Sequence, residues 1–550
     1  MTKRFSLIAL ALLGLSACDD NDNDTPPVVT PEPAPAKVDI KLSVLGRYSA
    51  GVIGESAAEI VDFDPASKQL FVINAAAGTV DVLDAANPPT PTKTATLDVA
   101  ALIGEAIGGV NSVAVKNGLV AVAVENDNKQ AAGYIAFYKA DGLQALGFVG
   151  AGALPDMVTF SPDGRYVLSA NEGEPNAAYD NDPEGSVTLV DLGEDPLAKA
   201  ASLKPEDVKQ LNFNAFDAQK DSLMASGVRI FGPNASVSQD LEPEYIAVSS
   251  DSTKAYVTLQ ENNAVAVVDL ASASITGISA LGFKDHSLAG NGLDASDKDD
   301  AINIKTWPVM GMYMPDSVAS FTVDGVTYLV TANEGDSRDY DGFSEEARVK
   351  DLALDPTVFA DASLQDNANL GRLQVTTTLG QDATTGLYTQ LYSFGGRSFS
   401  VWKDEGGVVS QVWDSGDAFE QYLAEALPED FNSDNEEQDS FDNRSDNKGP
   451  EPEGIAVGTI GEQHFAFVGL ERIGGIMVYD VTDPAAPVFQ DYINSRDFGA
   501  ETLEAAGDLG PEGVHFVSAA DSPSGEPMLI VGHEVSGTTV LYQIATSPRS

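Results

Sequence analysis

Apolar and polar residues alternate along this chain in short runs, each stopped by Gly, Asn, Asp or Pro. A period of two is the mark of a half-buried strand, and helical periodicity of useful length appears only near 205–216 and 418–427. From Lys37 onward the runs gather in fours. Residues 453–494 give the unit most plainly as "EGIAVG", "HFAFVGLE", "GIMVYDV" and "PVFQDYIN", and residues 244–281 repeat it as "EYIAVSS", "AYVTLQE", "AVAVVDL" and "ASITGISALG". Two further units open at Glu59 and Asn111. The unit starting "DMVTFSP" runs into an excursion from about 193 to 240, and "TYLVTANE" is cut off from "RSFSVWK" by an insertion near 336–390. The last unit has three runs, "EGVHFVS", "MLIVGHE" and "TTVLYQI"; "KLSVLGRYSAG" (41–51) supplies the fourth from the other terminus. Seven four-stranded units closed in this way predict an all-β chain, a seven-bladed β-propeller forming one domain over 37–550. A separate blade built on the hairpin in the 390s would raise the number to eight.

One element recurs at the start of these units: Pro followed by an acid, as in "LPDMVTF", "EPEYIAV", "MPDSVAS", "EPEGIAV" and "GPEGVHF". Pro fixes φ and cannot donate to a ladder, so it marks the turn before the innermost strand and leaves the acid at the channel mouth. The inner ring is then Glu59, Asp156, Glu244, Asp316, Glu453 and Glu512, with Asn111 as its seventh member. Acids at the ends of the second strands, Glu125, Glu172, Glu261, Glu334, Glu471 and Glu534, open on the same face. So many carboxylates at one mouth repel one another unless compensated. The compensators are bases in loops of that face, Arg338, Arg397, Arg444, Lys448 and Arg472, and bound divalent cations. Hard oxygen donors on flexible loops suit calcium. His533 stands beside Glu534, within reach of the mouth. Three further acidic segments, 180–185, 294–304 and 336–346, are candidate calcium loops, although none has EF-hand spacing.

Charge and cysteine usage narrow the picture. Against 84 acidic residues stand 31 basic ones, a net charge of -53, which argues against nucleic acid. Residues 1–17 read as a signal peptide, with Lys3 and Arg4 before "FSLIALALLGL". "LSAC" then resembles a bacterial lipobox with Cys18 as the lipidated residue, and the acidic, Pro-rich stretch 18–36 reads as a tether. The chain is thus expected to be an envelope lipoprotein, on the periplasmic side or the cell surface. Cys18 is the sole cysteine, so no disulfide forms within the chain. There is no G-x-S-x-G elbow and no Gly-rich phosphate loop, and four histidines are too few and too scattered for a zinc cluster. Ser398 and Ser445, each following an arginine, are the conceivable nucleophiles.

The motifs "TANEGDSRDYDGF", "GGRSFSVW", "NRSDNKGPEPEG" and "GLERIGGIMVYDVTDP" resemble the choice-of-anchor I family over essentially Lys37 to Ile544. That family includes bacterial surface proteins and animal mesenchyme-specific cell surface glycoproteins, and its members are often labelled alkaline phosphatase or phytase-like. The residues here that match its motifs are Arg397, Ser398, Arg444, Ser445, Asp446, Lys448, Glu451, Glu453, Glu471 and Arg472. Two readings follow. In the first, the acidic face binds calcium and a protein or glycan partner. In the second, the chain is a calcium-dependent phosphoesterase whose phosphate ligands are Arg338, Arg397, Arg444, Lys448, Arg472 and His533.

Overall fold

The structure is a computed structural model that describes residues 37–549. The expected signal peptide, the expected lipidation at Cys18 and the expected tether lie outside the described residues. Lys37 begins a compact unit of its own.

Seven four-stranded antiparallel sheets make up most of it. The first sheet runs Val61–Asp64, Gln69–Asn74, Thr79–Asp84, Thr92–Leu97, and the second Ile107–Lys116, Leu119–Asn126, Ala132–Lys139, Ala145–Ala153. The third is Pro155–Phe160, Tyr166–Asn171, Ser186–Asp191, Val208–Asn212, and the fourth Pro243–Val248, Lys254–Leu259, Ala264–Asp269, Ser274–Ala280. The fifth joins Val318–Val323 and Val326–Asn333 to Ser398–Asp404 and Val409–Asp414 across a long insertion. The sixth is Pro452–Ile460, Gln463–Leu470, Ile476–Asp480, Val488–Ile493. The seventh takes Pro511–Val517, Met528–His533 and Thr538–Pro548 from the C-terminal end, and its outermost strand is Val38–Ser49. Val38 pairs with Pro548 and Ser49 with Thr538.

The first strands of successive sheets touch one another in order, and the seventh returns to the first. This is a β-propeller. Second and third strands are covered on both sides by neighbouring sheets, so they read as continuous apolar runs such as "LVAVAV" (119–124), buried throughout. Val187 and Leu189 of the third sheet, for instance, share one core with Ala255 and Val257 of the fourth.

Two expectations need correction. Residues 205–216 do not form a helix: Val208–Asn212 is the missing fourth strand of the third sheet, flanked by short 3-10 turns. The insertion in the fifth unit also does not stand alone, but pairs with a segment that precedes that unit. Phe283–Asp285 and Met310–Met312 join Glu346–Arg348, Gln374–Thr376 and Tyr392–Ser393 in a separate five-stranded sheet. The helix expected near 418–427 is present as Ala418–Ala426, burying Phe419 and Leu423.

Candidate metal centre at the propeller mouth

In four of its five copies the Pro–acid element is a bulge. In the third sheet Pro155 pairs with Asn171 but Val158 with Ser169, so the first strand carries one residue more than its partner. The same step occurs between Pro243 and Ile246, Pro452 and Ile455, and Pro511 and Val514. A bulge re-aims side chains, and the residue re-aimed here is the acid. Ahead of it the backbone is held in the left-handed region: Leu154 has φ 50°, Met314 44° and Glu451 56°, each immediately before a proline. Non-glycine residues pay about 1–3 kcal/mol for such a conformation. Its return is a hydrogen bond. The residue before proline accepts from the backbone N–H of a second-strand acid, Glu172 onto Leu154 at 3.0 Å, Glu471 onto Glu451 at 2.8 Å and Glu534 onto Gly510 at 2.8 Å. Inner and outer acids are thereby locked side by side.

Three groups of carboxylates result, each with ligand atoms within 4.8 Å of one another: Glu59, Glu512 and Glu534; Asp156, Glu172 and Glu244; Glu334, Glu451 and Glu471. The first two share one construction. Each takes the inner and outer acids of one sheet and the inner acid of the next, sheets three and four in one case, seven and one in the other. Glycines permit the approach, since a Cβ on Gly532 would lie 1.8 Å from the Glu59 carbonyl oxygen and one on Gly454 1.8 Å from that of Glu512.

The third group carries its own cations. Lys448 Nζ lies 2.6 Å from both Glu334 Oε1 and Glu451 Oε1. Arg444 reaches Glu451 at 2.9 Å, and Arg472 reaches Glu451 at 3.2 Å and Glu471 at 3.1 Å. Burial would raise the Glu451 carboxyl, yet the three bases hold it well below the usual range. Glu451 is therefore the hub of this side of the mouth; its only sequence signal was its place in the family motif.

The other two groups have no ion pair with any base among the described residues. Burial, together with neighbouring acids, pushes Glu59 up to about 8 and Asp156 up to about 7. Glu172, Glu244 and Glu512 are pushed well above the ordinary value and Glu534 is raised, burial leading in each case. Beside the Asp156 group, Glu261 is 8% exposed, its Oε2 has no hydrogen-bond partner, and burial pushes it up to about 7. Glu453 is raised too, and its Oε2 and that of Glu512 are buried without a partner. Asp156, Asp316 and Glu512 line a 40 Å³ cavity on the ring axis. Met157, Tyr245, Ile455 and Val514 separate it from a 330 Å³ recess at the opposite end, walled by Phe160, Val248 and Phe516.

Other expected site residues lie elsewhere. Arg338 is 1% exposed and spent on Asp240 (2.7 Å) and Glu242 (2.9 Å). Arg397 donates to the Asp294, Ser445 and Asn447 carbonyls and to Glu420 at 2.6–2.8 Å, tying the insertion to the ring. His533 is buried, its electrostatic neighbours are Asp508 and Arg47, and burial lowers its pKa. It does not reach the mouth. Ser398 donates to Asp414 and Ser445 to Asp442, both fully buried, which accounts for them structurally. The mouth also holds residues not expected there: Tyr340, from the hairpin Asp339–Tyr340 and Phe343–Ser344, donates to Glu174 at 3.0 Å.

The chain is thus an all-β protein of the β-propeller class, with two carboxylate groups at one end that have no ion pair among the described residues. Residues 59–484 match the choice-of-anchor I domain, and the chain belongs to that family. It is 34% identical over 196 residues to Gigasin-3a of Magallana gigas, covering 33% of this chain and 67% of that protein. It is 27% identical over 325 residues to the mesenchyme-specific cell surface glycoprotein of Strongylocentrotus purpuratus, covering 52% of this chain and 42% of that protein. Among solved structures, Kuenenia stuttgartiensis hydrazine synthase aligns with TM-score 0.44 at 12% identity, over 92% of this chain and 99% of that one. The Cps50 (Swd1) β-propeller domain of Myceliophteria thermophila aligns with TM-score 0.45 at 8% identity, over 92% and 100%.

Proposed function

We propose that this protein is exported, held to a bacterial cell envelope through a lipid on Cys18, and works as a calcium-dependent binding module. In this reading the body is a seven-bladed propeller closed by Val38–Ser49, and its mouth takes two calcium ions, at Asp156, Glu172 and Glu244 and at Glu59, Glu512 and Glu534. The ions complete a surface for a protein or glycan partner. The observation that carries it is the contrast among the three carboxylate groups: one is neutralised by Lys448, Arg444 and Arg472, while two of like construction have no ion pair. Three carboxylates this close repel unless protonated or bridged by a cation, and an all-oxygen donor set on turns suits calcium. The family name and the name of the sea urchin relative support an exported, surface location. Among the described residues no helix is long and apolar enough to cross a membrane.

Calorimetric titration of calcium into the chelator-treated full chain tests it. Two of the bound ions are expected to belong to the mouth; E244Q removes one and E512Q the other. A double variant that still binds two ions overturns the assignment. The second reading, a calcium-dependent phosphoesterase, is favoured by Lys448, Arg444 and Arg472 lying at the same end as the acids. Calcium-dependent phosphate release from a phosphomonoester, lost when Arg444 and Arg472 are replaced, would establish it.

A further inference from the structure

A second polar cluster lies outside the three mouth groups, where loop 294–304 meets the turns following helix Ala418–Ala426. Asn432 is fully buried and Asp442 is 3% exposed. Both bind the same hydroxyl: Ser445 Oγ donates to Asp442 Oδ1 at 2.5 Å and accepts from Asn432 Nδ2 at 2.9 Å. That amide also donates to Glu420 Oε1 at 2.9 Å. With these bonds made, two acceptors are left over in one small knot. Asn432 Oδ1 and Asp442 Oδ2 are buried and no donor reaches either. An unpaired buried acceptor costs about 1–3 kcal/mol, so two in one place call for an occupant.

The surroundings decide what kind. The charged neighbours of Asp442 are Asp294, Asp299 and Asp297. Nearby bases are committed: Arg397 to Glu420 and backbone carbonyls, Arg372 to Asp297 and Asp446, Arg348 to Asp446. The deficit is therefore of positive charge as well as of donors. We infer that a calcium ion binds here, with Asp442 Oδ2 and Asn432 Oδ1 as ligands and Asp294 and Asp299 adding negative charge nearby, joining loop 294–304 to the 431–446 segment. One amide oxygen and carboxylates on irregular backbone make a hard, flexible donor set of the calcium kind, with none of the nitrogen or sulfur that zinc prefers. The site is independent of the mouth and serves to fix the insertion against the sixth sheet. Its competitors are a proton on Asp442 and a single water donating to both oxygens.

The test uses the full chain carrying E244Q and E512Q, so that the mouth is silent. Equilibrium dialysis with calcium is expected to leave one ion per chain, and calcium is expected to raise the Tm. Adding D442N should abolish both effects while leaving the Tm in chelator unchanged, because Asn has the shape and charge of the protonated acid. D299N, which removes a neighbouring negative charge, should weaken the affinity of the mouth-silent chain severalfold. If the mouth-silent protein binds no calcium, or if D442N or D299N leaves its binding and Tm increment intact, the occupant is a proton or water and the inference fails.

Discussion

Calcium binding at the mouth should release protons, and its affinity should rise with pH across the neutral range. Burial holds Asp156 near 7 and Glu59 near 8, against ordinary values of 3.8 and 4.5. At pH 6 Asp156 is then about 90% protonated and Glu59 about 99%, and a cation must displace those protons before it can coordinate. Each group that has to ionise lowers apparent affinity about tenfold per pH unit below its own value. Glu172 and Glu244 at the first site and Glu512 at the second are raised as well and must also ionise, so affinity at both sites should climb from about pH 6 through 8. Calorimetry in two buffers of different ionisation enthalpy, on E512Q to isolate the first site and E244Q to isolate the second, measures the protons released. The same shifts fix the sign of the stability change. These carboxyls are protonated in the folded chain and ionised in the unfolded one at neutral pH, so the folded state binds more protons. Their contribution is complete below about pH 4 and is lost as pH rises through 7 to 8, at up to about 1.4 kcal/mol per pH unit for each group. Calcium should flatten that decline. Affinities constant within about twofold from pH 6 to 8, with no dependence on buffer, would refute the argument that burial keeps these acids protonated.

Other outcomes can be checked directly. Replacing Lys448 by Met leaves Glu334 and Glu451 short of their closest cation and should cost about 3–5 kcal/mol in urea unfolding; an unchanged midpoint would mean that the ion pairs contribute nothing. G454A places a Cβ against the Glu512 carbonyl, so it should abolish calcium binding at the Glu59 site and spare the Asp156 site in the same titration. Deleting 38–49 exposes the Thr538–Pro548 edge along its length, and size-exclusion chromatography should then show association into larger species.

The fold was largely legible because strands covered on one or both faces impose local patterns, and a Pro before an acid marks every bulge but one of the inner strands' openings. Val208–Asn212 was missed because only Leu211 of its five residues is buried, so it shows no alternation. The five-stranded sheet of the insertion escaped notice for a different reason. Its strands are two or three residues long, and its parallel pair, Met310 with Tyr392, joins segments far apart in the chain. At the site, the acids could be placed from sequence since each lies next to the turn that aims it. Bases could not. Arg338 and Arg397 sit in loops just as Arg444 and Arg472 do, and only the packing around Asp240 and Glu420 shows that the first two are internal fasteners.

The seventh sheet has a mechanical consequence. Its outermost strand starts at Val38, beside Arg549, whose N–H bonds the Lys37 carbonyl at 2.9 Å, and it ends at Ser49 near the mouth, where Ala50 bonds Gly537. A load applied through Lys37 therefore enters at the end remote from the acids and is shared along a ladder that joins the two ends of the body. The carboxylate mouth and Lys37 thus lie at opposite ends of the body, and a single strand spans the distance between them.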